Sequence, residues 1–134
     1  FDGDPKNLYL PHNLNKSLVL YSGTHDNDTT IGWYKNSSNE IQDNFRSYFN
    51  VSGEDASWDM IRSAYRSVSP LVITPVQDYL GLGSEARFNE PGIAEGNWQW
   101  RLSFDQLQHL YSNCRSYLHE QAKITGRIDS GLKS

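Results

Sequence analysis

The chain has 134 residues, about one ordinary domain by length, with 12 Lys and Arg against 16 Asp and Glu for a net charge of −4. No basic run is present, which argues against a nucleic-acid partner, and no signal peptide or membrane-spanning apolar run is visible within it. The single cysteine, Cys114, excludes an internal disulfide and fits a reducing compartment, and no Cys/His spacing suggests a zinc site.

Residues 1–17 read as a loop, because Asp, Gly, Pro and Asn recur without a period. Tyr9-Leu10-Pro11 is expected to anchor it to the body. Leu18-Val19-Leu20-Tyr21 is a short run of buried-type residues, which suits a strand covered on both faces. A polar, acid-rich loop follows from Ser22 to Thr30, with Gly23 to bend the chain. Apolar residues resume at Ile31, Trp33 and Tyr34.

Ser37-Ser38-Asn39-Glu40 has the Ser-x-x-Glu form of a capping box. It opens a helix whose apolar face is Ile41, Phe45, Tyr48 and Phe49, ended by Asn50 to Gly53. A second helix is expected from about Asp55 to Ser67. Its apolar positions are Trp58, Ile61, Ala64, Tyr65 and Val68; its solvent side carries Asp59, Arg62 and Arg66. Ser69-Pro70 breaks it, and Leu71-Val72-Ile73 reads as a second buried strand halted by Pro75. Thr74 to Leu82 turns toward a short helix weakened by Gly81 and Gly83, and Glu85 to Gly96 is a loop. Ser103-Phe104-Asp105-Gln106 is another capping box. The helix behind it carries one stripe of Phe104, Leu107, Leu110, Tyr111, Cys114, Tyr117 and Leu118. Gly126 is its expected stop, with fraying after about Ile128.

The order is β-α-β-α, a parallel-sheet pattern. Two strands cannot hide their edges, so the first strand is expected to keep an open one. In α/β folds chemistry gathers in loops at the carboxyl ends of parallel strands. That places His25 and Asp26 at the mouth of the first strand.

Gly23-Thr24-His25-Asp26-Asn27-Asp28-Thr29-Thr30-Ile31-Gly32-Trp33-Tyr34 resembles the seventh-strand motif of the 4-alpha-glucanotransferases, the family of amylomaltase and disproportionating enzyme. Four further stretches agree in order. They are Leu10-Pro11-His12-Asn13; Pro75-Val76-Gln77-Asp78; Gly83 to Asn89 with Pro91-Gly92; and Asn97-Trp98-Gln99-Trp100-Arg101. The family usually has Met where this chain has Phe88. The resemblance implies that residues 1–134 are the carboxyl-terminal part of a (β/α)8 barrel, strands seven and eight with their helices, an incomplete domain of a longer chain. It implies transfer of α-1,4-glucan segments between maltooligosaccharides by a retaining mechanism, with no cofactor, metal, nucleic acid or membrane involved. It also implies a cytoplasmic protein, or a stromal one if the source is a plant.

Retaining glycosidic chemistry needs a nucleophilic carboxylate and an acid/base carboxylate about 5–5.5 Å apart, and hydrogen bonds to the 2-hydroxyl that strengthen at the oxocarbenium-like transition state. In the resembled family a third carboxylate makes that contact, and its place falls on Asp26. Without the family, an Asx turn or a helix N-cap is the competing role for Asp26. The family's His, which bonds hydroxyls of the cleaved sugar, falls on His25. Asn97 is expected to touch a sugar. Trp98 and Trp100 alternate, so one packs inward and the other faces the groove, and Trp98 is taken as the substrate-binding one. Asp2 falls in a loop near the acceptor subsites. Asn27 and Asp28 are read as loop-shaping and His12 as structural. Asp78 and Glu85 follow the second strand, but are read as ion-pair residues, Glu85 with Arg87 or Arg101 for instance. The nucleophile and acid/base fall on earlier strands, before residue 1. A non-catalytic carbohydrate-binding piece, or an inactive barrel fragment, is the alternative; the 13% aromatic content fits sugar stacking as well as a tyrosine-rich core.

Overall fold

A computed structural model describes residues 1–128, so the expected fraying beyond Ile128 lies outside the described residues. The chain divides into two compact units, Phe1–Trp100 and a second that begins at Arg101.

In the first unit, β1 (Val19–Tyr21) pairs in parallel with β2 (Leu71–Ile73), with Val19 opposite Leu71 and Tyr21 opposite Ile73. Their following loops therefore leave from the same end. Alternate side chains of a strand face opposite ways. Leu20 and Val72 are half-buried, whereas Val19, Tyr21, Leu71 and Ile73 are exposed. The expectation of a sheet covered on both faces is corrected: one face is packed and the other is not. Two three-residue strands recruit helices only where the chain supplies them. In the opening loop Leu10 is buried, but Tyr9 is exposed and anchors nothing.

Between the strands lie α1 (Thr30–Asn36), α2 (Asn39–Phe49) and α3 (Ala56–Tyr65). The sequence reading has no counterpart to α1. Its seven residues are too few to display a helical face, yet Thr29 caps it by accepting the Gly32 N–H at 3.1 Å. Gly32 sits so close to the loop before α1 that a Cβ there would lie 2.6 Å from Asp28 Oδ1. The α2 start is shifted by one residue: Ser38 is the N-cap and accepts the Ile41 N–H, while the Ser37 hydroxyl donates to the Trp33 carbonyl in closing α1. The predicted α2 face holds. Phe45 is fully buried in an aromatic cluster with Phe1, Trp33, Tyr34 and Phe49, and Asn50 ends the helix at φ 54°.

Ile61 and Ala64 of α3 are buried as the periodicity predicts. Val68 is exposed, and Asp59, expected on the solvent side, is buried and ion-paired with Arg62 at 2.6 Å. An Asp inside this helix is tolerated because a cation one turn later neutralises it. After β2, α4 (Val76–Tyr79) is a single turn, followed by a 3₁₀ turn at Ser84–Ala86.

In the second unit, Ser103 and Gln106 form both halves of the expected capping box on α5 (Phe104–His109). A π turn at Leu110–Cys114 separates α5 from α6 (Arg115–Ile124). It shifts the helical phase, so the predicted stripe is not continuous. Cys114 is buried, whereas Phe104, Leu107 and Tyr111 are exposed. Gly126 adopts φ 70° as the sequence predicts, and the Gly126 and Arg127 N–H groups bond back to Lys123 and Ala122 in a Schellman stop.

Candidate functional site

The loop from Ser22 to Thr29 leaves β1 and is closed by its own polar side chains. Asn27 Oδ1 accepts the Thr24 N–H at 2.8 Å and the Thr24 hydroxyl at 3.0 Å. Asp28 accepts the Thr29 N–H at 2.8 Å and the Ser84 hydroxyl at 2.7 Å. Both therefore shape the loop, as expected. With Thr29 capping α1, the cap and Asx roles that compete for Asp26 are already filled.

Among the described residues the Asp26 carboxylate takes no main-chain N–H. Its Oδ1 accepts the Asn89 side-chain amide at 2.7 Å and faces His25 Nε2 at 3.3 Å. Its side chain is 49% exposed and that of His25 56%. Arg87 donates to the Asp26 carbonyl at 2.9 Å and to the Asn89 carbonyl at 2.9 Å. The loop after β2 thus grips the loop after β1 through a guanidinium and an amide. From the sequence Arg87 is expected only as a candidate ion-pair partner of Glu85, and Asn89 has no expected role. The available signal was their place in the stretch Gly83 to Asn89 that carries the family resemblance.

Trp98 completes the surface. Its ring lies 5.2 Å from the His25 ring and 4.8 Å from Phe88, and the Trp98 main-chain N–H donates to the Phe88 carbonyl at 2.8 Å. Its backbone stands at φ 61°, a conformation costly for an aromatic residue, and its ring is half-exposed. Such a backbone cost is found where a side chain must be aimed. Trp100 is less exposed, which agrees with the expected alternation. Asn97 lines the groove with Asn89 and Trp98, but its amide also staples its own loop: Oδ1 accepts the Glu90 N–H at 2.9 Å, and Nδ2 donates to the carbonyls of Glu90 and Ile93.

Asp2 lies apart in the opening loop. It accepts the Asp4 N–H at 3.0 Å and the Asn7 amide at 3.1 Å, and these bonds hold its carboxyl below the ordinary value. Its neighbour Phe1 lines a second cleft with Ser22, Thr24 and Asn27, beside the Asp26 loop. His12 is structural as predicted, with its two ring nitrogens bonded to the Tyr48 hydroxyl and the Pro5 carbonyl.

The remaining acids near the mouth have other work. Asp78 is buried and accepts both the N–H and the hydroxyl of Thr30; burial raises its carboxyl above the ordinary value. It is a clamp on α1, not the ion-pair partner the sequence reading had it. Glu85 accepts the Gly83 N–H at 2.9 Å, while Arg87 turns to Asp26, so the expected Glu85–Arg87 pair does not form. Among the described residues no group of three His, Cys, Asp or Glu is placed to hold a metal ion, and no helix is long and apolar enough to cross a membrane.

Comparison with known proteins gives one answer. The family model described as 4-alpha-glucanotransferase matches residues 1–108. A 4-alpha-glucanotransferase of Synechocystis is 47% identical over 90% of this chain and 24% of its own length. One from Arabidopsis thaliana, named as chloroplastic/amyloplastic, is 45% identical over 88% of this chain and 21% of its own. Among solved structures, an amylomaltase from Streptococcus agalactiae in complex with acarbose superposes with a TM-score of 0.84 at 31% identity, covering 92% of this chain and 24% of that one. The chain spans about a quarter of the length of these relatives. A family match over residues 1–108, with this identity and this superposition, shows that the chain belongs to the 4-alpha-glucanotransferase family.

Proposed function

We propose that these residues form the strand-seven and strand-eight sector of a (β/α)8 barrel, and that the protein carrying them transfers α-1,4-glucan segments to an acceptor sugar with retention of configuration. In this reading Asp26 is the transition-state stabiliser. Its carboxylate accepts a hydrogen bond from the 2-hydroxyl of the reacting glucose, and that bond strengthens as positive charge develops at the anomeric centre. His25 bonds hydroxyls of the same sugar. Trp98 presents an aromatic face to a sugar ring, while Asn97 and Asp2 contribute polar contacts in the donor and acceptor grooves.

The nucleophile and the acid/base belong to other residues of the longer protein. Transfer, as against hydrolysis, requires that water be kept from the glycosyl intermediate until the acceptor 4-hydroxyl arrives. Carboxylates carry the proton work, so the reading calls for no cofactor or metal. Maltooligosaccharides and α-1,4-glucans are the partners, and the compartment is the cytoplasm, or the stroma in a plant.

One observation carries the reading. A half-exposed carboxylate that accepts no main-chain N–H among the described residues stands beside a histidine and a half-exposed tryptophan at the carboxyl end of a parallel strand. The test is maltotriose disproportionation by the full-length protein, followed by chromatography of the products. Asp26→Asn is expected to lower kcat by at least ~10²-fold, the scale of losing one electrostatic stabiliser, without lowering Tm. Near-normal turnover by a folded Asp26→Asn protein would reduce Asp26 to a loop residue and remove the reading's main support.

A further inference from the structure

We propose that Asn89 is a positioning residue for Asp26, fixing one carboxylate oxygen so that the other alone is offered to the ligand. The inference rests on the glucanotransferase reading for what the ligand is, but not for the contact itself. Asn89 Nδ2 donates to Asp26 Oδ1 at 2.7 Å, the shorter of the two side-chain approaches to that oxygen; His25 Nε2 stands at 3.3 Å. Among the described residues Asp26 Oδ2 accepts no hydrogen bond, while the side chain remains 49% exposed. An unrestrained carboxylate on an open loop rotates about its last torsion and presents either oxygen. One held by an amide does not, and a fixed acceptor needs no reorganisation as charge develops.

Asn89 is itself held. Its carbonyl accepts Arg87 Nε, and the other arm of that guanidinium donates to the Asp26 carbonyl. On its other side, the carbonyl of Phe88 accepts the Trp98 N–H at 2.8 Å. The donor thus comes from a segment pinned before and after it. Among the described residues, the charged or titratable groups that touch Asp26 are His25, at its carboxylate, and Arg87, at its carbonyl.

Two substitutions test this in the full-length protein. Asn89→Asp replaces an amide donor by a second carboxylate at hydrogen-bond distance. Two carboxylates that close cannot both ionise, so the pair shares a proton and its apparent pKa rises by about one unit or more. Carbon-13 labelling of aspartate carboxyls reads this directly, with the Asp26 signal assigned by its loss in Asp26→Asn. Because activity requires ionised Asp26, the acid limb of kcat/KM moves to higher pH with it. Asn89→Ala removes the donor without adding charge. It is expected to lower kcat by about 10- to 10²-fold, the scale of a small misplacement, with KM little changed. A mere loop staple would alter stability and leave kcat of Asn89→Ala at the wild-type level. An Asp26 titration in Asn89→Asp that superimposes on wild type, or wild-type kcat in Asn89→Ala, overturns the proposal. If the unsubstituted protein transfers no glucan, the proposed activity falls, and the carboxyl titration alone still decides: a shift upholds the contact and no shift overturns it.

Discussion

Asp78 accepts two hydrogen bonds from a single residue, the N–H of Thr30 at 2.9 Å and its hydroxyl at 2.8 Å. Both residues are buried, and the contact joins the turn after β2 to the first residue of α1. A carboxylate at a helix N-terminus is favoured by the dipole and by the unpaired N–H groups there. The pairing also fixes where the Asp26 loop must end. Asp78→Ala leaves two buried donors of Thr30 without partners, so a loss of about 3 kcal/mol is expected in chemical denaturation. The pH dependence has a defined sign. Burial raises the folded-state pKa above the ordinary 3.8. Stability from the protonated form is therefore complete below the unfolded value and declines as pH rises through the folded one. Asp78→Asn cannot ionise, so its deficit relative to wild type should be largest in acid and shrink toward neutral pH. A deficit that instead grows with pH would mean that Thr30 favours the ionised form more than burial opposes it.

The parts of this fold that were legible in the sequence are those set by local chemistry. Capping at Ser103 with Gln106, the Gly126 stop and the Phe45 face of α2 each follow from a few neighbouring residues. What depends on a distant partner was not legible. Asp59 looks like a solvent residue on a helical wheel, yet it is buried. The run Leu18–Tyr21 looks like a strand covered on both faces, although only Leu20 points into packed structure. The π turn at Leu110–Cys114 has no sequence rule behind it. At the site, His25 and Asp26 stood out through a family resemblance. Asn89 and Arg87 lie in the resembling stretch too, but their bonds to Asp26 span a sequence separation of 63 and 61 residues, which no local pattern encodes.

Trp98 combines a half-exposed ring with φ 61°. Trp98→Ala removes the contact with His25 and Phe88 and keeps the unfavourable backbone. Trp98→Gly removes the same ring but accepts positive φ freely. The two variants should bind maltotriose equally weakly, about 2- to 10-fold below wild type, the worth of one aromatic contact. Their stabilities should differ, with Gly above Ala by about 1 kcal/mol. Fluorescence titration and thermal unfolding read the two quantities separately. Unchanged binding in both would place the sugar face elsewhere and leave Trp98 as a loop anchor.

The 134-residue chain by itself is expected to transfer no glucan. A retaining mechanism needs two carboxylates about 5–5.5 Å apart with opposite protonation tasks. Around Asp26 the other acids are engaged: Asp28 with Thr29 and Ser84, Asp78 with Thr30, and Glu85 with the Gly83 N–H. Asp78 is in addition buried, out of reach of a sugar. Stabilising an oxocarbenium ion achieves nothing when no group protonates the leaving oxygen or attacks the anomeric carbon. The measurement is incubation of the purified chain with maltotriose and separation of the products. The expected result is unchanged maltotriose. A maltooligosaccharide ladder that also disappears in Asp26→Asn would show that Glu85 or Asp28 leaves its hydrogen bonds to serve as the catalytic acid, and that this sector carries more of the chemistry than its geometry supports.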